Sequence, residues 1–150
     1  MLMRRGMLGS SGGGLPAGIK AFATGTATLQ ADSSDFFVTT GLGYIPDYAA
    51  LWIEDQDTTL IPNGACVKVV YMLEEYENSN LTSPRLQYYY LYKHATSGNI
   101  LDNKGSGILS QQATENTFNF KRGAVDWRAL DTNGDPIVYR WFALKLDDNA

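Results

Sequence analysis

The chain has 150 residues, 44% hydrophobic and 19% charged, which is the length of one domain and the balance of a globular protein, excluding a wholly disordered or coiled-coil chain. Twelve Lys and Arg against 16 Asp and Glu leave a net charge of -4, with no basic excess to follow a phosphate backbone, so nucleic acid is not an expected partner. A single cysteine, Cys66, excludes an intrachain disulfide, and no apolar run approaches the roughly 18 residues of a membrane span, so no membrane insertion is expected.

In chain order, residues 1–18 come first and differ in kind from the rest. Arg4 and Arg5 sit among Met1, Leu2, Met3, Met7 and Leu8, and Gly9-Ser10-Ser11-Gly12-Gly13-Gly14 follows. The positive charge of a signal peptide is present, but no apolar run comes after it. Such a stretch buries too little apolar surface to fix its own backbone, so an extended, mobile arm is expected. Its apolar side chains are nevertheless unusual for a linker. They point to docking, with a neighbouring subunit as the preferred receiver and a disordered terminus as the alternative.

Residues 19–150 carry the punctuation of a β protein, short runs of Val, Thr, Tyr, Phe and Trp broken by Gly, Pro, Asn and Asp. The spacing predicts strands at Ile19–Leu29, Phe36–Thr40, Tyr48–Glu54, Cys66–Tyr76, Leu86–Lys93, Ile108–Ser110, Thr117–Lys121 and Ile137–Leu146. Pro62-Asn63-Gly64 reads as a hairpin turn between Trp52–Ile61 and Ala65–Tyr76, and Asp131–Pro136 as the reversal before the last strand. Glu77–Asn80 and Asp102–Gly107 read as exposed polar loops, and Ala124–Leu130 as one short helical turn. The expected fold is all-β, an antiparallel β-sandwich or jelly roll of about eight strands with an extended N-terminal arm. Strand-to-helix alternation is absent, which argues against a doubly wound α/β sheet.

Chemistry-bearing patterns are few. Asp131-x-Asn133-x-Asp135 copies the opening of an EF-hand loop, but Pro136 and Phe142 occupy the positions that need glycine and a bidentate glutamate, so it reads as a turn. His94 is the only histidine and has no carboxylate or thiol beside it. One His and one Cys do not fill a zinc site, and Cys66, in an apolar stretch, reads as a buried structural thiol. Glu54, Asp55, Asp57, Glu74 and Glu75 supply carboxylate pairs of the kind any acidic β protein offers. Gly12-Gly13-Gly14 lacks the Lys-Ser or Lys-Thr of a phosphate loop, and Asn80-Leu81-Thr82 reads as a surface loop. No catalytic, metal or cofactor-binding residue is expected, and the chain does not read as an enzyme.

The aromatic run Leu86–Lys93 stands out. On a strand, Leu86, Tyr88, Tyr90 and Tyr92 fall on one face and Tyr89 and Leu91 on the other. Two largely apolar faces fit a central sandwich strand first, with a subunit interface or a sugar-binding face as the alternative, because tyrosine joins a large apolar ring to a hydrogen-bonding tip. Tyr88, Tyr90 and Tyr92 are therefore candidate interface residues together with Met1, Leu2, Met3, Arg4, Arg5, Met7 and Leu8.

Two stretches carry a resemblance. Phe36-Phe37-Val38-Thr39-Thr40-Gly41-Leu42-Gly43-Tyr44-Ile45-Pro46-Asp47-Tyr48-Ala49-Ala50-Leu51-Trp52 resembles the strand, Gly-Leu-Gly-aromatic-x-Pro turn and next strand of small bacteriophage structural proteins, most familiar among tail, fibre and baseplate components of phages of Gram-positive bacteria. The ending Tyr139-Arg140-Trp141-Phe142-Ala143-Leu144 is similar to the Tyr-x-Trp-x-Ala strand that closes many of them. Thr40 stands where those proteins often carry His. Trp52 and Trp141 are then expected on inward faces as core anchors. The resemblance implies a virion protein, assembled in the host cytoplasm, that is an oligomerising subunit of a tail, neck or capsid-attached assembly. Its implied partners are other virion proteins and copies of itself, with no cofactor. The alternative is a host-surface receptor-binding or carbohydrate-binding module of a phage tail, with a cell-surface glycan as partner.

Overall fold

Along the closing segment, Tyr139, Trp141 and Ala143 are buried while Arg140, Phe142 and Leu144 are half-exposed, the alternation of a strand packed on one side only. A computed structural model describes residues 15–54, 57–74, 85–108, 112–123 and 125–147. The arm residues Met1, Leu2, Met3, Arg4, Arg5, Met7 and Leu8, the Glu77–Asn80 loop and Asn80-Leu81-Thr82 lie outside the described residues. Eight strands form two antiparallel sheets: β1 (Ile19–Ala27), β2 (Phe37–Thr39), β3 (Tyr48–Ile53), β4 (Cys66–Glu74), β5 (Arg85–Lys93), β6 (Ile100–Ile108), β7 (Thr117–Asn119) and β8 (Tyr139–Leu146). The large sheet runs β1-β8-β3-β4-β5-β6, and β2 pairs β7 in the small one. This is the all-β, sandwich-like fold read from the sequence. Among the described residues no helix is long and apolar enough to cross a membrane.

The core lies between the inward face of the large sheet and the small one. From the large sheet come Ala49, Leu51, Val69, Tyr71, Leu86, Tyr90, Tyr139, Trp141 and Ala143; Phe36, Val38, Phe118, Phe120 and Trp127 meet them from the other side. Edge-to-face ring contacts join the layers, Tyr71 to Phe118 at 5.1 Å and Phe36 to Tyr139 at 4.9 Å between centroids. The Gly-Leu-Gly turn is a structural clasp. Leu42 and Pro46 are buried, Gly41 and Gly43 hold φ of 61° and 81°, and the Gly43 amide donates to the Glu115 carbonyl at 2.9 Å and to Asn116 Oδ1 at 3.1 Å. Residues with a Cβ resist that left-handed backbone, which explains the two glycines.

Several sequence expectations are corrected. Residues Asp102–Gly107, read as a loop, lie inside the edge strand β6, paired along its length with β5. Gly105 fits beneath Tyr88, where a Cβ would lie 2.4 Å from the phenolic oxygen. Polar composition misled because an edge strand needs only backbone pairing on one side. The segment before the Pro62–Ala65 turn is not strand as far as Ile61: β3 stops at Ile53, and a 3-10 turn spans Thr58–Leu60, capped by Asp57. Of the Ala124–Leu130 turn, the described residues Val125–Leu130 form no helical turn. They are extended, with bridges from Asp126 to Ala65 and from Trp127 to Ser33, and Trp127 reaches across into the core.

Candidate functional site

The register fixes what the large sheet presents on its outward side. Reading across the strands, one row is Phe22, Leu144, Tyr48, Met72 and Gln87, the next Thr24, Phe142, Ala50, Val70 and Tyr89, and the third Thr26, Arg140, Trp52, Lys68 and Leu91. Phe142 stacks on Phe22 at 6.1 Å and meets Trp52 edge-on at 6.0 Å, so the three form one aromatic ridge over β1, β8 and β3. Among the described residues no second layer covers this face: Tyr48, Met72 and Tyr89 are 38%, 38% and 44% exposed. The same face also carries the polar Thr24, Thr26, Lys68, Gln87 and Arg140.

Trp52 is therefore corrected. It faces outward on this ridge and is half-exposed, whereas Trp141, one register position away opposite Leu51, is a core residue as expected. The fully buried indole is Trp127, which the sequence reading missed; its Nε1 donates to the Phe120 carbonyl at 2.5 Å. It sits in a short extended segment bridged to Ser33, too short for any periodicity to show.

Of the candidate interface tyrosines, Tyr90 is buried and Tyr88 and Tyr92 are half-buried; the three form an inward row of mutually tilted rings, with 6.0 Å and 5.8 Å between successive centroids, on β5 between β4 and β6. What they pack against is Arg122, itself buried. Its guanidinium lies 3.6 Å from the Tyr88 ring centroid and 4.9 Å from that of Tyr90, and its Nη2 donates to the Tyr71 hydroxyl at 2.6 Å. Nε of Arg122 has no hydrogen-bond partner. Cation–π contact with electron-rich rings stands in for a carboxylate here. The Tyr71 hydroxyl also accepts from Gln112 Nε2 at 3.1 Å and donates to the Lys121 carbonyl at 3.0 Å, and burial pushes the phenol up to about 12. Tyr71→Phe is expected to remove the acceptor of Arg122 Nη2 and the donor to the Lys121 carbonyl, and to cost about 1–3 kcal/mol, read as a lower denaturant midpoint with unchanged slope.

Among the described residues, two of the grooves lie beside the sheet. One, of about 460 Å³, is lined by Glu54, Asp57, Leu60, Asp131, Pro136 and Val138. Its carboxylates serve the fold: Glu54 pairs with Arg140, Asp57 accepts from the Thr59 amide and hydroxyl, and Asp131 Oδ1 accepts from the amides of Asn133 and Asp135. The Thr59 hydroxyl bond holds the Asp57 carboxyl below its usual range. The Asp131–Pro136 segment is thus a turn closed on its own carboxylate. The other groove, of about 580 Å³, lies on the outward side beside Met72, Gln87, Tyr89, Lys104 and Ser106. There the Tyr89 hydroxyl donates to Asp102 across β5 and β6.

His94 Nδ1 faces the amides of Thr96 and Ser97 at 3.3 Å and 3.2 Å, closing the turn between β5 and β6. Cys66 is buried, and desolvation pushes its thiol up to about 12, far from a reactive thiolate. Among the described residues no three His, Cys, Asp or Glu side chains converge as a metal site would require. Compared with family models, curated proteins and solved structures, the chain matches none.

Proposed function

We propose that this chain is a bacteriophage virion structural protein, a subunit of a tail, neck or capsid-attached assembly that acts by protein–protein contact and without turnover. The observation that carries the reading is the half-exposed aromatic ridge of Phe22, Phe142 and Trp52, over which no second layer lies among the described residues, on the side of the sheet opposite the core cluster. The resemblance of Phe36–Trp52 and Tyr139–Leu144 to small phage structural proteins supplies the virion context. The N-terminal arm ties the subunit to its neighbours, which are other virion proteins and copies of itself. Mass spectrometry of purified particles is the test. The protein is expected at a fixed copy number that survives stringent washing; its absence from particles, with free protein in the lysate, overturns the reading.

One observation favours the second reading, a host-surface carbohydrate-binding module. The groove of about 580 Å³ sets the exposed Tyr89 ring beside Gln87, Lys104 and Ser106, an apolar platform with hydrogen-bonding groups around it. Binding of host-wall glycan that is lost in Tyr89→Ala, in a variant that still enters particles, would move the function to this reading.

A further inference from the structure

The aromatic ridge and the open positions Tyr48, Met72 and Tyr89 leave the outward face of the large sheet without an occupant among the described residues. We infer that the occupant is residues 1–8 of a neighbouring copy of this chain, laid across the strands. The inference rests on reading the protein as a subunit that works by contact, and it names the partner of that face.

Length comes first. Eight extended residues span about 26 Å at roughly 3.3 Å each, and six strands measure about 24 Å across at roughly 4.8 Å per spacing. The six-residue Gly/Ser stretch that follows has a root-mean-square reach of about 13 Å, enough to carry the segment clear of its own sheet. Position agrees with this. The chain enters the described part at Leu15, turns through Pro16–Ile19, where the Ile19 amide donates to the Pro16 carbonyl at 3.2 Å, and passes directly into β1. Since β1 is the outermost strand of the large sheet, the chain enters the described part at the rim of the sheet.

Chemistry points the same way. Met1, Met3 and Met7 have the adaptable, polarizable side chains that pack well on aromatic rings such as Phe22, Phe142 and Trp52. Direct stacking of two outward faces is less suited. A face about 24 Å wide and about 20 Å deep offers on the order of 500 Å² per partner, short of the roughly 800 Å² of a standard stable interface.

The test is disulfide trapping between two differently tagged full-length chains. Cys66 is buried with its thiol pushed up to about 12, so it stays silent and introduced cysteines report alone. Met7→Cys in one chain and Met72→Cys in the other are expected to give a mixed-tag pair on mild oxidation. That pair should fall to background when the receiving chain also carries Phe142→Asp, and again with Tyr89→Glu, whose exposed position leaves folding intact. Asn133→Cys, in the exposed Asp131–Pro136 turn, should trap nothing. No mixed-tag pair, trapping at Asn133 as strong as at Met72, or pairing of Met72→Cys chains with each other each overturns the inference. So does a chain carrying both cysteines that closes only internally, since its own arm would then be the occupant. Particle mass spectrometry separates the two readings: trapping without particle incorporation removes the virion function alone, and incorporation without trapping removes this inference alone.

Discussion

Trp127→Ala is expected to lower stability by about 3–5 kcal/mol, the cost of deleting a fully buried large aromatic side chain. The indole touches Phe36 and Tyr139 edge-on at 5.7 Å and 5.4 Å, and its Nε1 bond to the Phe120 carbonyl would be lost with it. Truncation would thus open a cavity between the two sheets and leave a buried carbonyl without its donor. For a domain of this size the melting temperature should fall by on the order of 10 °C, a large part of the margin that typical domains hold. Trp52→Ala is the informative contrast. Its ring lies half-exposed on the outward ridge, so its loss should cost about 1 kcal/mol while weakening association through that face. Thermal melts of the two variants, with light scattering on the second, check the pair. Equal destabilisation would contradict the placement of the two indoles on opposite sides of the large sheet.

Raising the pH should unfold the protein between about pH 9 and 12, and the sign follows from three buried acids. Burial pushes Cys66 and Tyr71 each up to about 12, and pushes the Tyr139 hydroxyl, whose neighbours are the amide and carbonyl of Arg128, upward as well. Each is protonated in the folded state at pH values where its unfolded counterpart has ionised. The unfolded chain therefore binds fewer protons, and stability falls as pH rises. Below the unfolded values, about 8.5 for the thiol and about 10 for the phenols, the contribution is complete; it is lost as pH climbs toward the folded values. Two units on one phenol correspond to about 2–3 kcal/mol, and the groups together to several. Denaturant titrations at stepped pH should show the midpoint declining through this window. Tyr139→Phe should flatten the decline while lowering stability near neutrality, because the backbone groups of Arg128 lose their partner. A midpoint unchanged from pH 8 to 11.5 would contradict the burial of these groups.

Strand existence was legible in the sequence from runs of aromatic and aliphatic residues bounded by Gly, Pro, Asn and Asp. Tyr139–Leu144 and Tyr48–Ile53 are two such runs, and the structure places those strands side by side. Turns were legible for the same local reason. Pro62-Asn63-Gly64 and Asp131–Pro136 close on hydrogen bonds within a few residues, the Ala65 amide to the Pro62 carbonyl at 3.2 Å in the first. Edge strand β6 was not legible, because Asp102, Asn103 and Lys104 satisfy a strand only through what β5 offers them.

Composition and local pattern thus determined an all-β chain with a basic arm joined to an acidic body. Which side of each strand faces the core was decided only by tertiary structure. A strand pattern distinguishes two faces but does not name them, since both carry apolar residues here. Tyr88 and Tyr90 turned inward because Arg122, from a distant loop, needed aromatic faces to take the place of a counter-ion. Trp52 turned outward because its register neighbour Leu51 filled the inward position opposite Trp141. The open ridge that carries the proposed function is the remainder of those pairings, a surface that exists only once the strand order β1-β8-β3-β4 brings Phe22, Phe142 and Trp52 into one line.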